Sequence, residues 1–170
     1  MSDTTLESTA EAPETGVPLT PAQEAIAKLK DLHPNIVSDD AREGYEGLVV
    51  YADSITEVAK SLRDDLGFNY LSSVTGVDLI EDGKMEVVYH LYSISRGGGP
   101  VVLRAQVDRD APSLPSLVPV FPGAEFQERE AYDMYGFQFQ GHPDLRRILT
   151  WDGFNGHPLR KDWKEAFFEE

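Results

Sequence analysis

Two carboxylates and two imidazoles crowd into the last third of this chain: Glu128 and Glu130, then His142 and His157. Pairing one of each as acid and base would suit proton transfer near neutral pH, where imidazole titrates. His142, Asp144 and His157 form the set that could ligate a metal, since imidazole and carboxylate are usual donors to zinc. Neither chemistry has the spacing it needs. No nucleophile, base and orienting group stand in a legible relation. The histidines lie far apart, and Pro143 and Pro158 follow them where a second ligand would be wanted. The same carboxylates read more simply as partners of Arg129, Arg146 or Arg147. A third chemistry is protein docking. Tyr132, Tyr135, Phe137, Phe139, Trp151, Phe154 and Trp163 are interleaved with Arg146, Arg147 and Arg160, and aromatics and Arg carry most interface energy. The residue types favour docking, with no active, cofactor or metal site on the chain; they leave the partner unnamed.

The composition sets the frame around this stretch. At 170 residues the chain suits one domain with a real core. No apolar run approaches the ~20 residues of a membrane-spanning helix. Nor does the N-terminus have the basic and apolar regions of a secretory signal, so the expected compartment is the cytoplasm. There is no cysteine, which excludes disulfides, thiolate catalysis and cysteine-held iron–sulfur clusters in this chain. A net charge of −15 argues against nucleic acid as a partner. The acidity is concentrated at the ends, while the balance reverses between Gly141 and Lys164. One mildly basic strip on an acidic protein suits a docking surface.

The elements that must position the strip follow from the pattern. Residues 1–17 lack apolar residues in any period and are expected to be a flexible acidic tail. Residues 18–123 are expected to be an α+β domain. Thr20, Pro21 and Gln23 start a first helix through a capping box, and His33-Pro34 ends it. Ile36-Val37 and Gly47–Tyr51 are strand candidates. A second helix begins at Asp53 or Ser54, with Glu57 completing its capping box and Ile55, Val58, Ala59, Leu62 and Leu66 as its apolar stripe. Strands are predicted over Tyr70–Leu79, Lys84–Ser93 and Val101–Val107. Glu81-Asp82-Gly83 joins the first two and Arg96–Pro100 the second and third. The Gly-rich reversal lacks phosphate-loop spacing. His33 and His90 fall at a helix end and on a strand face. Four prolines, Pro112, Pro115, Pro119 and Pro122, then exclude a long helix. The fold class is α+β, with N-terminal helices packed on a mostly antiparallel sheet, followed by a short helix and an extended C-terminal docking arm.

Residues 124–170 hold that helix and arm. A helix over Ala124–Tyr135 stops at Gly136. Glu125, Arg129 and Asp133 recur at i, i+4 and i+8, so Arg129 is expected to bridge two carboxylates. Beyond Gly136 some thirty residues show no core-forming period, which is the mark of a functional or partner-ordered segment.

Glu128-Arg129-Glu130, Asp133-Met134-Tyr135, His142, Arg146 and Ile148-Leu149, with Gly156-His157-Pro158-Leu159-Arg160-Lys161-Asp162, resemble the signature of a family. It is the thirty-kilodalton (C-type) subunit of respiratory complex I, the proton-pumping NADH:quinone oxidoreductase. The resemblance extends over about Pro18 to Trp163. It departs at Trp163-Lys164-Glu165, where most relatives continue with an aromatic, Pro and Leu. What it implies is a non-catalytic peripheral-arm subunit of the separately encoded form, on the cytoplasmic face of the cell membrane and touching it only through the complex. Implied partners are the quinone-site subunit, of forty-nine-kilodalton (D) type, and the neighbouring iron–sulfur subunits of B and I type. FMN and the Fe-S clusters would then sit on partner subunits. The implied docking and signature residues are Glu128, Arg129, Glu130, Asp133, Tyr135, His142, Arg146, Arg147, His157, Arg160, Lys161 and Asp162. The alternative is the equivalent subunit of a ferredoxin-dependent or hydrogenase-like membrane complex.

Overall fold

A computed structural model of the chain describes residues 18–44 and 47–164. The acidic tail expected over residues 1–17 lies outside the described residues, as do residues 165–170. Helix α1 (Pro21–Leu32) starts with the expected capping box: the Thr20 hydroxyl accepts from the Gln23 N–H and the Gln23 side chain accepts from the Thr20 N–H. Helix α2 (Ile55–Asp64) departs from expectation, because neither Asp53 nor Ser54 caps it through a side chain. A 3-10 turn over Ala52–Ser54 runs straight into it and supplies the entry backbone instead.

Strands β1 (Val37–Asp39), β2 (Leu48–Val50), β3 (Tyr70–Leu79), β4 (Lys84–Tyr92) and β5 (Val101–Asp108) form one sheet in the order β1-β2-β5-β4-β3. Only β2 and β5 run parallel, so the sheet is mostly antiparallel as predicted. Side chains alternate along β4, and Met85, Val87, Tyr89 and Leu91 all point into the core. There they meet Ala25 and Leu29 of α1 and Ile55, Val58 and Leu62 of α2, each large side chain worth about 1.5–3 kcal/mol when fully buried. Among the described residues no helix is long and apolar enough to cross a membrane.

The opposite sheet face carries Glu86, fully buried yet ionic. Arg104 (2.9 Å), Arg42 (2.6 Å) and the Gln106 amide (3.0 Å) donate to it, and Arg42 also clasps Asp40. Arg42 reaches across β5 from the loop after β1, which folds over this face. His90 sits on the same face, within hydrogen-bond distance of Ser73. His33 is at the end of α1, tied to Ser61 of α2.

The proline-rich connector is not without regular structure. Within it lies β6 (Ser113–Pro115), which pairs in parallel with β7 (Gln138–Gln140). Phe137 and Phe139, before and on the second strand, are buried in the main core. The extended segment expected to begin at Gly136 therefore begins after Gln140, because those two aromatics belong to the domain. Helix α3 (Ala124–Tyr135) lies between the small strands and packs against β3. Gly76 permits the close approach: a Cβ there would stand 2.7 Å from the Tyr135 ring.

Candidate functional site

Helix α3 is built to hold the chain that follows it. Asp133 is fully buried in its last turn and acts as a hub. Its carboxylate accepts from the backbone N–H groups of Ile148 (3.0 Å), Leu149 (2.8 Å) and Thr150 (2.8 Å), from the Thr150 hydroxyl, and from Arg147 Nη1 (2.7 Å). Burial alone would raise its pKa. The hydrogen bonds from Thr150, Leu149 and Ile148 overcome that and hold the carboxyl well below the usual range. Arg147 also donates to the Gly156 carbonyl (3.1 Å) and lies over the Phe154 ring.

Arg129 does not bridge Glu125 and Asp133. Its Nε and Nη2 donate to the Arg146 and Arg147 carbonyls (3.2 and 3.3 Å), with the guanidinium over Phe126. Helical spacing made the bridge possible, but Asp133 is already saturated by the returning backbone. The neighbouring carbonyls needed the donor more. One turn of α3 thus reads both sides of the 146–150 backbone, Arg129 its carbonyls and Asp133 its amides.

His142 and His157 are consumed by backbone groups. His142 Nε2 donates to the Glu125 carbonyl (3.1 Å), while its Nδ1 accepts from the Asp144 N–H (3.0 Å). Asp144 in turn pairs with Arg146. His157 Nδ1 donates to the Asp133 carbonyl (3.0 Å), and burial, aided by Arg160 and Arg147, lowers its pKa against that bond. Its ring lies against Gly136, whose φ of 84° and missing Cβ are both required: a Cβ would be 2.6 Å from His157 Nε2. Gly136→Ala is expected to cost about 2–3 kcal/mol, through left-handed strain and the clash together. A melting curve of the purified chain checks this.

Glu128 stands apart from both histidines. It is fully buried, accepting from Ser116 Oγ (2.6 Å) and the Leu117 N–H (2.7 Å). Burial pushes its pKa up to about 7 against those two bonds. Glu130 is exposed on the other side of α3. The four groups that suggested acid–base chemistry are therefore not brought together. His142, Asp144 and His157 do not converge either; among the described residues no cluster of His and acidic groups could hold a metal.

The last stretch is tied down by residues to which the sequence pattern did not point. Asp78 of β3, buried, receives both Arg109 nitrogens (2.8 and 3.0 Å) and the Lys161 N–H (2.8 Å); Arg109 also reaches Asp162 (2.6 Å). Arg109 first, and the Lys161 N–H after it, lower the Asp78 pKa. The Leu159 N–H donates to the Met134 carbonyl, and Arg160 Nε donates to that of Tyr135. Trp151 meets Phe154 edge to face at 4.7 Å, and Phe154 stacks on Trp163 at 5.8 Å. The segment is extended, as expected. It is also hydrogen-bonded to its own domain, at Asp78, Met134 and Tyr135. A signal for Asp78 existed, since it falls in the inward phase of β3; nothing in the spacing pointed to Arg109.

What this anchoring leaves outside is apolar. With their N–H groups turned in to Asp133, Ile148 and Leu149 turn their side chains out, Leu149 62% exposed and neighbouring Trp151 66%. Arg146, just before Ile148 in the chain, and Lys161 and Lys164 further on are exposed as well.

A family model described as respiratory-chain NADH dehydrogenase, 30 Kd subunit, matches residues 48–168. The chain is 44% identical over 141 residues to the C subunit of NADH-quinone oxidoreductase from Moorella thermoacetica, covering 82% of this chain and 93% of the relative. It is 51% identical over 157 residues to the corresponding C subunit of Caulobacter sp. strain K31, covering 86% and 72%. Among solved structures it is similar to Nqo5, as the trypsin-resistant fragment (1-134), with TM-score 0.60 and 27% identity over 73% of this chain and 99% of that one. It is also similar to a chain of the membrane-bound sulfane sulfur reductase, an archaeal respiratory membrane complex, with TM-score 0.68 and 25% identity over 85% and 86%. The match runs from β2 through α3 and the whole segment that Asp133 and Arg129 hold, so the chain belongs to the family of NADH-quinone oxidoreductase C subunits, the 30 Kd subunits of the respiratory-chain NADH dehydrogenase.

Proposed function

We propose that this chain is a non-catalytic, positioning subunit in the peripheral arm of a proton-translocating NADH:quinone oxidoreductase. It docks through the turn that Asp133 holds, against the quinone-site subunit and its iron–sulfur neighbours. The observation that carries this reading is the outward set of Ile148, Leu149 and Trp151 on a backbone fixed by Asp133 and Arg129. A preordered apolar turn binds without a further ordering cost. The exposed cations Arg146, Lys161 and Lys164 of the same segment suit acidic groups or terminal carbonyls on a partner. Glu128, Asp133, His142 and His157 all serve internal bonds, which supports a structural rather than a catalytic use. FMN and the clusters would then be carried by the partners, and the chain would lie at the cytoplasmic face through them.

Likeness to the sulfane sulfur reductase chain fits the alternative membrane complex equally in fold. The sequence relatives, named as NADH-quinone oxidoreductase subunits, favour the NADH reading. The test is affinity recovery of the tagged chain from mildly solubilised membranes, assayed for iron and for NADH:quinone reductase activity. A large, iron-rich, NADH-oxidising assembly is the expected result. Iron-rich partners without NADH oxidation would transfer the chain to the ferredoxin or hydrogenase-like class, and a chain recovered alone would overturn both.

A further inference from the structure

We propose that the open end of the β2–β5 pairing is a second docking surface, one that accepts an extended, cationic segment of a neighbouring protein chain as an added strand. Strand β2 ends at Val50, opposite Ala105, whereas β5 continues to Asp108. Among the described residues, Gln106, Val107 and Asp108 therefore have a strand neighbour on the β4 side only. At the point where β2 would have continued, the turn over Ala52–Ser54 ends the ladder while still packing against β5 and β6. A cleft of about 540 Å³ opens there, within the range of sites that hold small ligands or short peptides.

The cleft has the two things that strand addition uses: an unpartnered backbone edge and side-chain subsites at alternate positions. Ile36, Val50 and Val107 line it, and Tyr51 stands beside them 67% exposed. Its charged lining residues are Asp53 and Asp108, both exposed, with no Lys or Arg among the lining residues. One Asp108 oxygen accepts from the Asp110 N–H, and Lys84, across the ladder from Asp108, turns its ammonium to Gln106. The complement is a segment alternating basic and apolar residues. The cleft lies towards the β1–β2 side of the sheet, while the signature segment packs on α3 and β3 at the opposite edge. Both surfaces can be occupied at once, and this proposal does not depend on the function proposed above.

The test titrates the full chain with acetyl-Lys-Val-Lys-Val-Lys-Val-amide, following backbone amide shifts. Three controls run beside it: the glutamate analogue, and two lysine peptides N-methylated at alternate residues, on the lysines or on the valines. The expected footprint is Gln106, Val107, Asp108 and Tyr51. One methylated peptide binds roughly tenfold more weakly and the other does not, since only one set of amides faces β5. The glutamate peptide leaves these residues unmoved, and Asp53→Asn with Asp108→Asn weakens the lysine peptide several-fold at unchanged melting temperature. A footprint elsewhere on this acidic chain, equal binding of all three lysine peptides, or an equal response to the glutamate peptide would each overturn the proposal.

Discussion

An Asp133→Ala chain is expected to lose about 3–5 kcal/mol of stability and to fail to enter its complex. The side chain takes five hydrogen bonds while fully buried. Removing it leaves Arg147 without its anion and three backbone N–H groups without an acceptor, the costly way to break a buried charged network. Asp133→Asn keeps the volume and one acceptor oxygen, so it should fall between the alanine variant and the native chain. The depressed pKa gives the effect a pH sign. The carboxylate stabilises fully above the unfolded value of about 3.9, and that contribution is lost as pH falls through the lower folded value. Native and Asp133→Asn chains should therefore converge in stability only in strong acid. Urea unfolding across pH 2 to 7 measures it, and a constant difference over that range would remove Asp133 as the hub.

Glu128→Gln is expected to act in the opposite sense, stabilising the chain by about 3 kcal/mol at pH 8 and by only about 1 kcal/mol at pH 5. Burial raises the Glu128 pKa from 4.5 to about 7. Between those values the folded chain keeps a proton that the unfolded chain has released. Stability then declines as pH rises through the window and is lowest above it. Gln copies the protonated acid: its amide can donate to Ser116 while its oxygen still accepts from the Leu117 N–H. Tyr89 responds to the same charge. Its fully buried hydroxyl has no hydrogen-bond partner among the described residues, and burial first, then Glu128, pushes its pKa well above the ordinary value. His90 and His157, both lowered by burial, oppose this trend by weakening the fold towards acid. The difference between Glu128→Gln and the native chain isolates the carboxyl. Equal pH profiles for the two would show that Glu128 is not the titrating group.

Much of this architecture could be read from local pattern. The capping box at Thr20, the alternation along β4 and the stop at Gly136 each depend on residues within a few positions of one another. The family signature was legible for the same reason, as a continuous stretch. What was missed depends on distance in the chain. Arg129 had two helical carboxylates in reach and chose the carbonyls of residues 146 and 147. Its choice was set by how the segment returns, which spacing does not encode. Asp78 and Arg109, 31 residues apart, meet Lys161 and Asp162 only after the sheet has formed. The pairing of β6 with β7 likewise joins a proline-rich connector to a stretch read as loop. The arm therefore looked loose in the sequence because its anchors lie elsewhere.

In the proposed role, a turn fixed by α3 presents Ile148, Leu149 and Trp151 to a partner subunit. The membrane recovery experiment reaches that turn when run side by side on the native chain and on a Leu149→Glu, Trp151→Glu chain. Both substituted side chains are exposed, so the isolated variant should melt within a few degrees of the native chain. The prediction is that the native chain brings down iron and NADH:quinone reductase activity while the variant, folded, comes down alone. Recovery of the full active assembly by the variant would contradict docking through this turn.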